Sequence, residues 1–368
     1  MQQHWPGVEI SFVVRDSAEG LEWLQRKGLP VVPAPPDAYS GWFQGVLAEG
    51  QPGVLVLDVR DDLPASIISW ASERGILVVT IDDPSPRRLN CDLAFYASHH
   101  GADALEWGGY RGELFAGPEY ALLGLVPRAR TPQADFTRVS RILITMGGSD
   151  PYGMSARTVA LLSRLSVSAA LDVMIGPGFR DHAKLRRAIG DCPLPARIIE
   201  SPEEPAELME GADLAVASYG VTALELASFG VPAIHIYWSL DHQISGQFMV
   251  EAGATVGAGL YSELEEGKLV GLVSELCSHS KRRRDMSARA SRLIDGRGAE
   301  RIRRSIESRL AVRNQVSHGG TPRAYGINRA DIAASCFRGT KGVKEQRGQG
   351  EKQARGNRRR HENNDSGA

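Results

Sequence analysis

The sequence predicts an α/β protein made of two Rossmann-like domains, each built on a parallel sheet. Short apolar runs of strand length alternate with segments of helical periodicity, which is typical of doubly wound sheets. A Pro- and Arg-rich stretch interrupts this alternation in the middle of the chain. A chain of 368 residues has room for about two domains of ~150 residues each. We expect a first domain, a linker, a second domain and a tail at residues 1–125, 126–138, 139–311 and 312–368.

The first half of the chain alternates strands and helices up to the linker. Helical periodicity is predicted at 20–26, ending near Gly28, and at 64–74, ending at Gly75, since glycine commonly ends a helix. The intervening stretch 38–50 is interpreted as polar and is assigned to no element. The predicted strands are residues 8–14, 30–32, 53–58, 76–81 and 93–96.

The second half resumes the same pattern after the linker. Its last two predicted helices, 281–293 and 299–310, are rich in Arg, and alternating charge of this kind indicates a solvated helix face. The predicted strands are residues 141–145, 171–175, 196–199 and 212–217, with a further apolar strand after Pro232.

Composition separates the folded part from the tail. The 42% hydrophobic and 24% charged residues are those of a globular protein. From Val312 onward there are 12 Lys/Arg against 5 Asp/Glu, a balance of +7 that leaves −8 for the first 311 residues. The tail has little apolar periodicity, so we expect it to be disordered. Its Arg358-Arg359-Arg360 run lacks interleaved aromatics, and we therefore expect no nucleic-acid partner.

Cysteine usage and hydropathy exclude several classes of protein. The four cysteines are widely spaced without a Cys-x-x-Cys pair, which indicates neither a zinc cluster nor a disulfide framework. No apolar run approaches the ~18 residues of a transmembrane span, and no signal peptide is recognisable. The expectation is a cytoplasmic protein without a metal or cofactor. The oligomeric state is not predicted.

Two strand-to-helix turns carry the functional signal. One strand runs into Ser218-Tyr219-Gly220 and a helix that includes Thr222 and Glu225, and another runs into Gly147-Gly148-Ser149-Asp150. Small, glycine-containing turns of this kind expose backbone N–H groups at the positive end of a helix dipole, which suits a phosphate. Both turns follow strands of one predicted sheet, so we expect them to line one crevice. The alternative for the second turn is purely structural, because Thr222 and Glu225 have the spacing of a capping box.

These residues resemble a known family. The segments 146–150, 212–217, 220–225 and 230–232, with Gln243, are similar to the C-terminal domain of UDP-sugar enzymes of the glycosyltransferase-B fold. Among these enzymes the chain is most similar to the UDP-2,4-diacetamido-2,4,6-trideoxy-β-L-altropyranose hydrolase of pseudaminic acid synthesis and its spore-coat-polysaccharide relatives. The segments 55–58, 81–83, 91–93 and 117–122 follow the order of the same family. The resemblance covers residues 8 to 310.

The resemblance implies a set of substrate-binding residues. Glu225 matches a ribose-binding carboxylate, and a carboxylate can accept hydrogen bonds from two hydroxyls. Gly147, Gly148, Ser149 and the adjoining Asp150 match the first phosphate-facing loop. The residues that match the family's second phosphate-facing loop are Ser218, Tyr219, Gly220 and Thr222. Gln243 matches a residue near the sugar or the pyrophosphate.

The chain also departs from this family. Its members open with a strand and a loop carrying Gly-His, whose histidine is the proposed base, and no Gly-His precedes Val8. His4 is not expected to replace it. Arg60 occupies a place that often holds Tyr. His242, His99 and His100 are the other candidates for a base, whereas His235 lies within a strand and is expected to be packed.

Three hypotheses follow. The first is a hydrolase that releases UDP from a UDP-activated amino or deoxy sugar, with the loop N–H groups balancing the charge on the departing UDP. The second is a glycosyltransferase that uses the same cleft. The third is a catalytically incomplete UDP-binding remnant, which the absent N-terminal strand and loop would produce.

Overall fold

The computed structural model describes residues 8–15, 18–35, 37–59, 63–127, 136–317 and 332–336. These residues form two parallel sheets that are flanked by helices, in the α/β arrangement that the sequence predicts. The strands are β1 (Ile10–Val14), β2 (Val31–Pro33), β3 (Val54–Asp58), β4 (Leu77–Ile81), β5 (Leu93–Tyr96), β6 (Glu113–Ala116), β7 (Arg141–Thr145), β8 (Ala170–Ile175), β9 (Ala196–Glu200), β10 (Leu214–Ser218), β11 (Ala233–Tyr237), β12 (Thr255–Leu260) and β13 (Ile332–Cys336).

Helices connect most of these strands. They are α1 (Ala18–Arg26), α2 (Tyr39–Gly50), α3 (Ala65–Glu73), α4 (His99–Asp103), α5 (Met154–Leu162), α6 (His182–Gly190), α7 (Pro205–Glu210), α8 (Val221–Ser228), α9 (Leu240–Glu251), α10 (Glu266–Ser278), α11 (Ser280–Leu293) and α12 (Gly298–Ser317). Short 3-10 helices lie at Pro86–Asn90, Pro118–Tyr120 and Tyr261–Glu263.

The first sheet has seven strands in the order β2-β1-β13-β3-β4-β5-β6. β13 pairs in parallel with β1 on one side and with β3 on the other, so that Ala334 lies between Phe12 and Val56. β13 therefore joins β1 and β2 to the rest of the sheet. The strand order reverses direction at this position, which makes it the switch point of the sheet.

The second sheet has six strands in the order β12-β11-β10-β7-β8-β9. Its core consists of aliphatic side chains from β7, β8, β10 and β11 that pack under α5 and α10. β7 and β10 are neighbours, with Ala217 opposite Thr145. The two glycine-containing turns that follow these strands consequently leave the same edge of the sheet side by side.

The final helix returns to the first sheet. Ile302 and Ile306 of α12 pack in one apolar cluster with residues of β3, β4 and β5. The Arg301 guanidinium donates a hydrogen bond to the Glu119 carbonyl at 2.9 Å. Residues 298–311 were expected to belong to the second domain, but their apolar face packs on the first sheet.

Other parts of the chain differ from the sequence-based expectation. The polar stretch 38–50 is a helix, α2, which buries Tyr39, Phe43 and Leu47. The tail was expected to be disordered from Val312, yet α12 continues to Ser317 and residues 332–336 form β13. The predictions for His4, Arg60, residues 128–135 and Arg358-Arg359-Arg360 lie outside the described residues.

Helix hydropathy and the grouping of potential metal ligands are two further properties of the described residue ranges. None of the helices in these ranges combines the length and the apolar character that crossing a membrane requires. Within the same ranges, His, Cys, Asp and Glu side chains do not gather in groups of three or more that would suit a metal ion.

Candidate functional site

The turns after β7 and β10 lie against each other. Gly147 has a φ of 77°, a left-handed conformation that favours glycine. A Cβ placed on Gly147 would be 3.6 Å from the Ser218 hydroxyl oxygen, so a side chain there would fill the gap between the turns. Ser218 itself is buried. The structure thus brings the two predicted turns together at the carboxyl edge of the second sheet.

A third turn, which was not among the predicted site residues, packs against the first. Residues 176–178 follow β8, and the Gly178 N–H donates to the Gly148 carbonyl at 3.1 Å. A Cβ on Gly176 would come within 2.6 Å of Gly148 Cα, so this close approach requires glycine. Gly148 has open space where its own side chain would be, and Ser149 lies beside Gly178. The signal that could have found this turn is Gly-Pro-Gly directly after a predicted strand.

The N-terminus of α5 is already occupied by a carboxylate. Asp150 is buried, and its two oxygens accept hydrogen bonds from the Met154 and Ser155 N–H groups, each at 2.8 Å. A carboxylate at this place satisfies the free N–H groups and neutralises the helix dipole. The Asp150 side chain is therefore engaged in starting α5, and a phosphate at this turn would meet the backbone of residues 147–149.

The N-terminus of α8 is open by contrast. Gly220 is the residue before the helix and provides no side-chain cap, and the space where a Cβ would stand on Gly220 is empty. Val221, the first helical residue, is 45% exposed, and Thr222 beside it is half-buried. N–H groups of an uncapped first turn are ready donors for an anion. The capping-box alternative is wrong, because Thr222 lies inside the helix and Glu225 makes other contacts.

Glu225 points its carboxylate at the chain segment that links the two sheets. Its Oε1 atom accepts hydrogen bonds from the Gly124 N–H at 3.1 Å and the Leu125 N–H at 3.0 Å. The side chain is only 7% exposed. Burial raises the pKa of Glu225 above its usual value, and the two backbone N–H groups oppose that rise because they stabilise the charged form.

Tyr219 ties the second turn to α9. Its ring is buried, and its hydroxyl donates to the Ser245 carbonyl at 2.8 Å. Helix α9 begins after Ser239, whose hydroxyl accepts from the His242 N–H at 3.3 Å. Gln243 is half-buried on the first turn of α9. The Tyr219 contact thus fixes the helix that carries Gln243 next to the turn after β10.

The first sheet meets α9 through α4. His100 Nε2 of α4 lies 3.1 Å from a carboxylate oxygen of Glu251 at the end of α9. A Cβ on Gly101 would come within 2.9 Å of the Ser245 hydroxyl, so α4 and α9 approach closely. His99 is exposed at the start of α4. The helices that follow β5 and β11 are therefore in direct contact, which places the carboxyl edges of the two sheets close together at this point.

The two remaining histidines that the sequence analysis considered, His235 and His242, differ in their surroundings. His235 is fully buried in β11, and burial lowers its pKa to about 4, so the ring is neutral. It packs within the second sheet, as the sequence predicts. His242 lies next to Gln243, with its ring centroid 6.3 Å from that of Tyr219.

The first sheet presents acidic residues at its carboxyl edge. Asp82, directly after β4, adopts a left-handed φ of 48°, which is uncommon for a residue other than glycine. Asp83 is fully buried and pairs with Arg87 at 2.6 Å. The Arg87 guanidinium also donates to the Val59 carbonyl at 3.0 Å, directly after β3. Asp83 and Arg87 therefore hold the loops after β3 and β4 together.

Comparison with known proteins gives distant relatives. No family model matches the chain. Over 195 residues the chain is 25% identical to the spore coat polysaccharide biosynthesis protein SpsG of Bacillus subtilis. The matched region covers 51% of this chain and 56% of that protein. Over 129 residues, 33% of this chain, it is 26% identical to protein MJ1062 of Methanocaldococcus jannaschii, of which 27% is covered. The chain thus spans about half of the first relative's length and about a quarter of the second's.

Solved structures match over a larger part of the chain. MurG of Acinetobacter baumannii aligns with a TM-score of 0.63 at 13% identity, covering 82% of this chain and 99% of that one. MnaA of S. aureus, solved with UDP, aligns with a TM-score of 0.54 at 14% identity over 86% of this chain and 99% of that one. Likeness at this level of identity establishes the fold. The chain has the glycosyltransferase-B fold of two Rossmann-like units.

Proposed function

We propose that this protein is an enzyme that binds a UDP-activated amino or deoxy sugar in the cleft between its two sheets. The observation that carries the proposal is the meeting of the turns after β7 and β10, where Gly147 approaches Ser218, beside the uncapped start of α8. Backbone N–H groups at such a place can hold a diphosphate without a metal ion. Glu225, within the same helix, is the group for the ribose hydroxyls.

The proposed reaction is hydrolysis of the bond between the sugar and UDP. A water oxygen attacks the anomeric carbon, the bond from that carbon to the phosphate oxygen breaks, and UDP departs with the electron pair. The N–H groups at the start of α8 would stabilise the charge on the departing diphosphate. The water proton needs a base, and the candidate is His242, on the first turn of α9 beside Gln243, with its ring centroid 6.3 Å from that of Tyr219.

This activity belongs, in the proposal, to nonulosonic acid or surface polysaccharide biosynthesis, with pseudaminic acid synthesis as the specific case. Its support is the sequence resemblance of residues 8 to 310 together with the partial match to a spore coat polysaccharide biosynthesis protein. The competing reaction, transfer of the sugar to a hydroxyl acceptor, uses the same nucleotide site and differs only in what attacks the anomeric carbon.

The first test is calorimetric titration of the full chain with UDP. Saturable binding is expected, and Glu225→Ala should weaken it by about 1.5 to 3 kcal/mol, since a charged hydrogen-bond partner is lost. Glu210→Ala is the matched control, because Glu210 is an exposed carboxylate at the end of α7. Absence of binding by the folded wild-type chain would refute the nucleotide site.

The second test separates the two reactions. The full chain is incubated with a UDP-activated amino sugar without any acceptor, and release of free sugar and UDP is followed. Hydrolysis predicts stoichiometric release of both products. A transferase predicts turnover only after a hydroxyl acceptor is added, and that result would replace the hydrolytic proposal.

A further inference from the structure

The segment that links the two sheets lies along α8. Ala121 is buried in one apolar cluster with Tyr219, Ala223 and Leu224, and Leu123 packs against the same cluster. Leu125 packs against a second cluster that includes Leu226. We call residues 121–125 the connector. Every second residue of the connector thus packs against α8, at positions both before and after Glu225.

The connector backbone supplies the hydrogen bonds that orient Glu225. The two N–H groups of Gly124 and Leu125 converge on the single atom Oε1. A Cβ on Gly124 would stand 3.3 Å from that atom, so the carboxylate packs closely against the side of Gly124 where a side chain would be. Two convergent donors restrict the carboxylate to one orientation. Both hydrogen bonds that the described residues donate to this carboxylate end on Oε1, which leaves Oε2 for a ligand.

The connector also touches the other place where the chain crosses between the sheets. A side chain on Gly298, at the start of α12, would overlap the Ala121 carbonyl, and Val126 lies against Gly296. Arg301 bridges the Glu119 carbonyl and the Asp295 carboxylate. The two segments that cross between the sheets are thus packed against each other.

We propose that the connector is a working part of the nucleotide site: through Gly124 and Leu125 it positions Glu225 for the ribose, and nucleotide binding in turn stabilises the connector. This inference rests on the proposed function. Glu225 then serves two partners at once, backbone N–H groups on Oε1 and ribose hydroxyls on Oε2. Because linkage is reciprocal, the factor by which nucleotide stabilises the connector equals the factor by which a released connector weakens nucleotide binding.

The first measurement is hydrogen exchange of the connector in the full wild-type chain, with and without saturating UDP. Slower exchange of the Gly124 and Leu125 amides is expected, by roughly tenfold, which lies within the usual range of coupling between two sites. Unchanged or faster exchange in the UDP complex overturns the proposal. This measurement needs no variant and is therefore independent of any folding defect.

The second measurement is the UDP affinity of Gly124→Ala. The added methyl would displace the carboxylate by a few tenths of an ångström, and we expect a loss of affinity of roughly fivefold or more. Gly108→Ala is the matched control, because Gly108 lies in a turn with open space around its Cβ position. Undiminished affinity in Gly124→Ala overturns the positioning role.

The two proposals fail in different ways. If the folded wild-type chain does not bind UDP, the proposed function and this inference fall together. If UDP binds but the connector amides and the Gly124→Ala affinity do not respond, the nucleotide site stands and only the coupling is refuted.

Discussion

Gly147 and Ser218 belong to turns that are separated by about seventy residues in the chain, yet the Cβ position of Gly147 lies 3.6 Å from the Ser218 hydroxyl. Parallel pairing of β7 with β10 produces this relationship, because it brings the carboxyl ends of both strands to one edge. The narrow space between the turns is where backbone N–H groups from two directions can meet one ligand. The geometry of the candidate site therefore follows from strand order.

This relationship predicts different outcomes for two neighbouring glycines. Gly147→Ala should destabilise the fold by about 1 to 2 kcal/mol, because alanine is strained in a left-handed conformation. Gly148→Ala should leave the midpoint of thermal unfolding nearly unchanged, since open space surrounds its Cβ position, but should weaken UDP binding if a phosphate occupies that space. Thermal unfolding and calorimetry on both variants check this. Full UDP affinity in a well-folded Gly148→Ala would place the phosphate elsewhere.

We expect the buried Asp83–Arg87 ion pair to contribute more to the free energy of unfolding than an exposed ion pair does. Asp83 and Arg87 are both almost fully buried, so Asp83→Ala removes a buried carboxylate that pairs with the Arg87 guanidinium and should cost about 3 to 5 kcal/mol. The control is Asp191→Ala, which breaks the exposed Arg187–Asp191 pair and should cost at most about 1 kcal/mol. Urea unfolding measures both. Equal losses would contradict the role of the Asp83–Arg87 pair in holding the loops after β3 and β4 together.

Many of the strands could be predicted from the sequence because each is a short apolar run that ends at a polar or glycine residue. Helix α2 was missed because Gly41, Gly45 and Gly50 obscure it, although Tyr39, Phe43 and Leu47 have helical spacing and form its buried face. Glycine also hides β12, since Gly257 and Gly259 interrupt its apolar run. Gly257 is needed there because a Cβ would lie 3.0 Å from the Tyr237 hydroxyl.

The contacts of the candidate site depend on distant parts of the chain and could not be predicted locally. The spacing of Thr222 and Glu225 fitted a capping box, but the carboxylate instead accepts hydrogen bonds from residues about a hundred positions earlier. Asp150 matched a phosphate-facing loop by position, and its two hydrogen bonds to the start of α5 became visible only in the folded chain. Strand order and backbone partners decide such roles.

Buried His235 predicts a specific dependence of stability on pH. Its folded pKa is lowered from 6.5 to about 4 because burial disfavours the charged ring. Below pH 6.5 the unfolded chain takes up a proton that the folded chain does not, so the free energy of unfolding falls as the pH is lowered from 6.5 towards 4. The full effect is about 3 kcal/mol.

The measurement is urea unfolding between pH 7 and pH 4 for the wild type and His235→Leu. The difference between the two curves isolates this histidine, because other titrating groups are shared. The variant should lose the part of the pH dependence that belongs to residue 235. Parallel curves for the two proteins would contradict a neutral, buried His235.

The position of β13 predicts that a distant segment of the chain stabilises the first sheet. β1 pairs with β2 and β13, and β3 pairs with β13 and β4, so β13 is what joins the two parts. Ala334→Pro removes a backbone donor in the middle of a central strand, where proline is not tolerated. We expect faster hydrogen exchange in β1 and β3 in this variant, with exchange in the second sheet unchanged.

The matched control is Ala354→Pro, the same substitution in the part of the chain beyond residue 336, which has the same effect on the unfolded chain. Hydrogen exchange measured by mass spectrometry on the full chain reports β1, β3 and residues 332–336 in one experiment. In the wild type, amides of residues 332–336 should exchange as slowly as those of β1. Exchange of these amides at the rate of an unstructured peptide would show that β13 does not hold this place in solution, and that β1 and β2 are retained by α12 and the core alone.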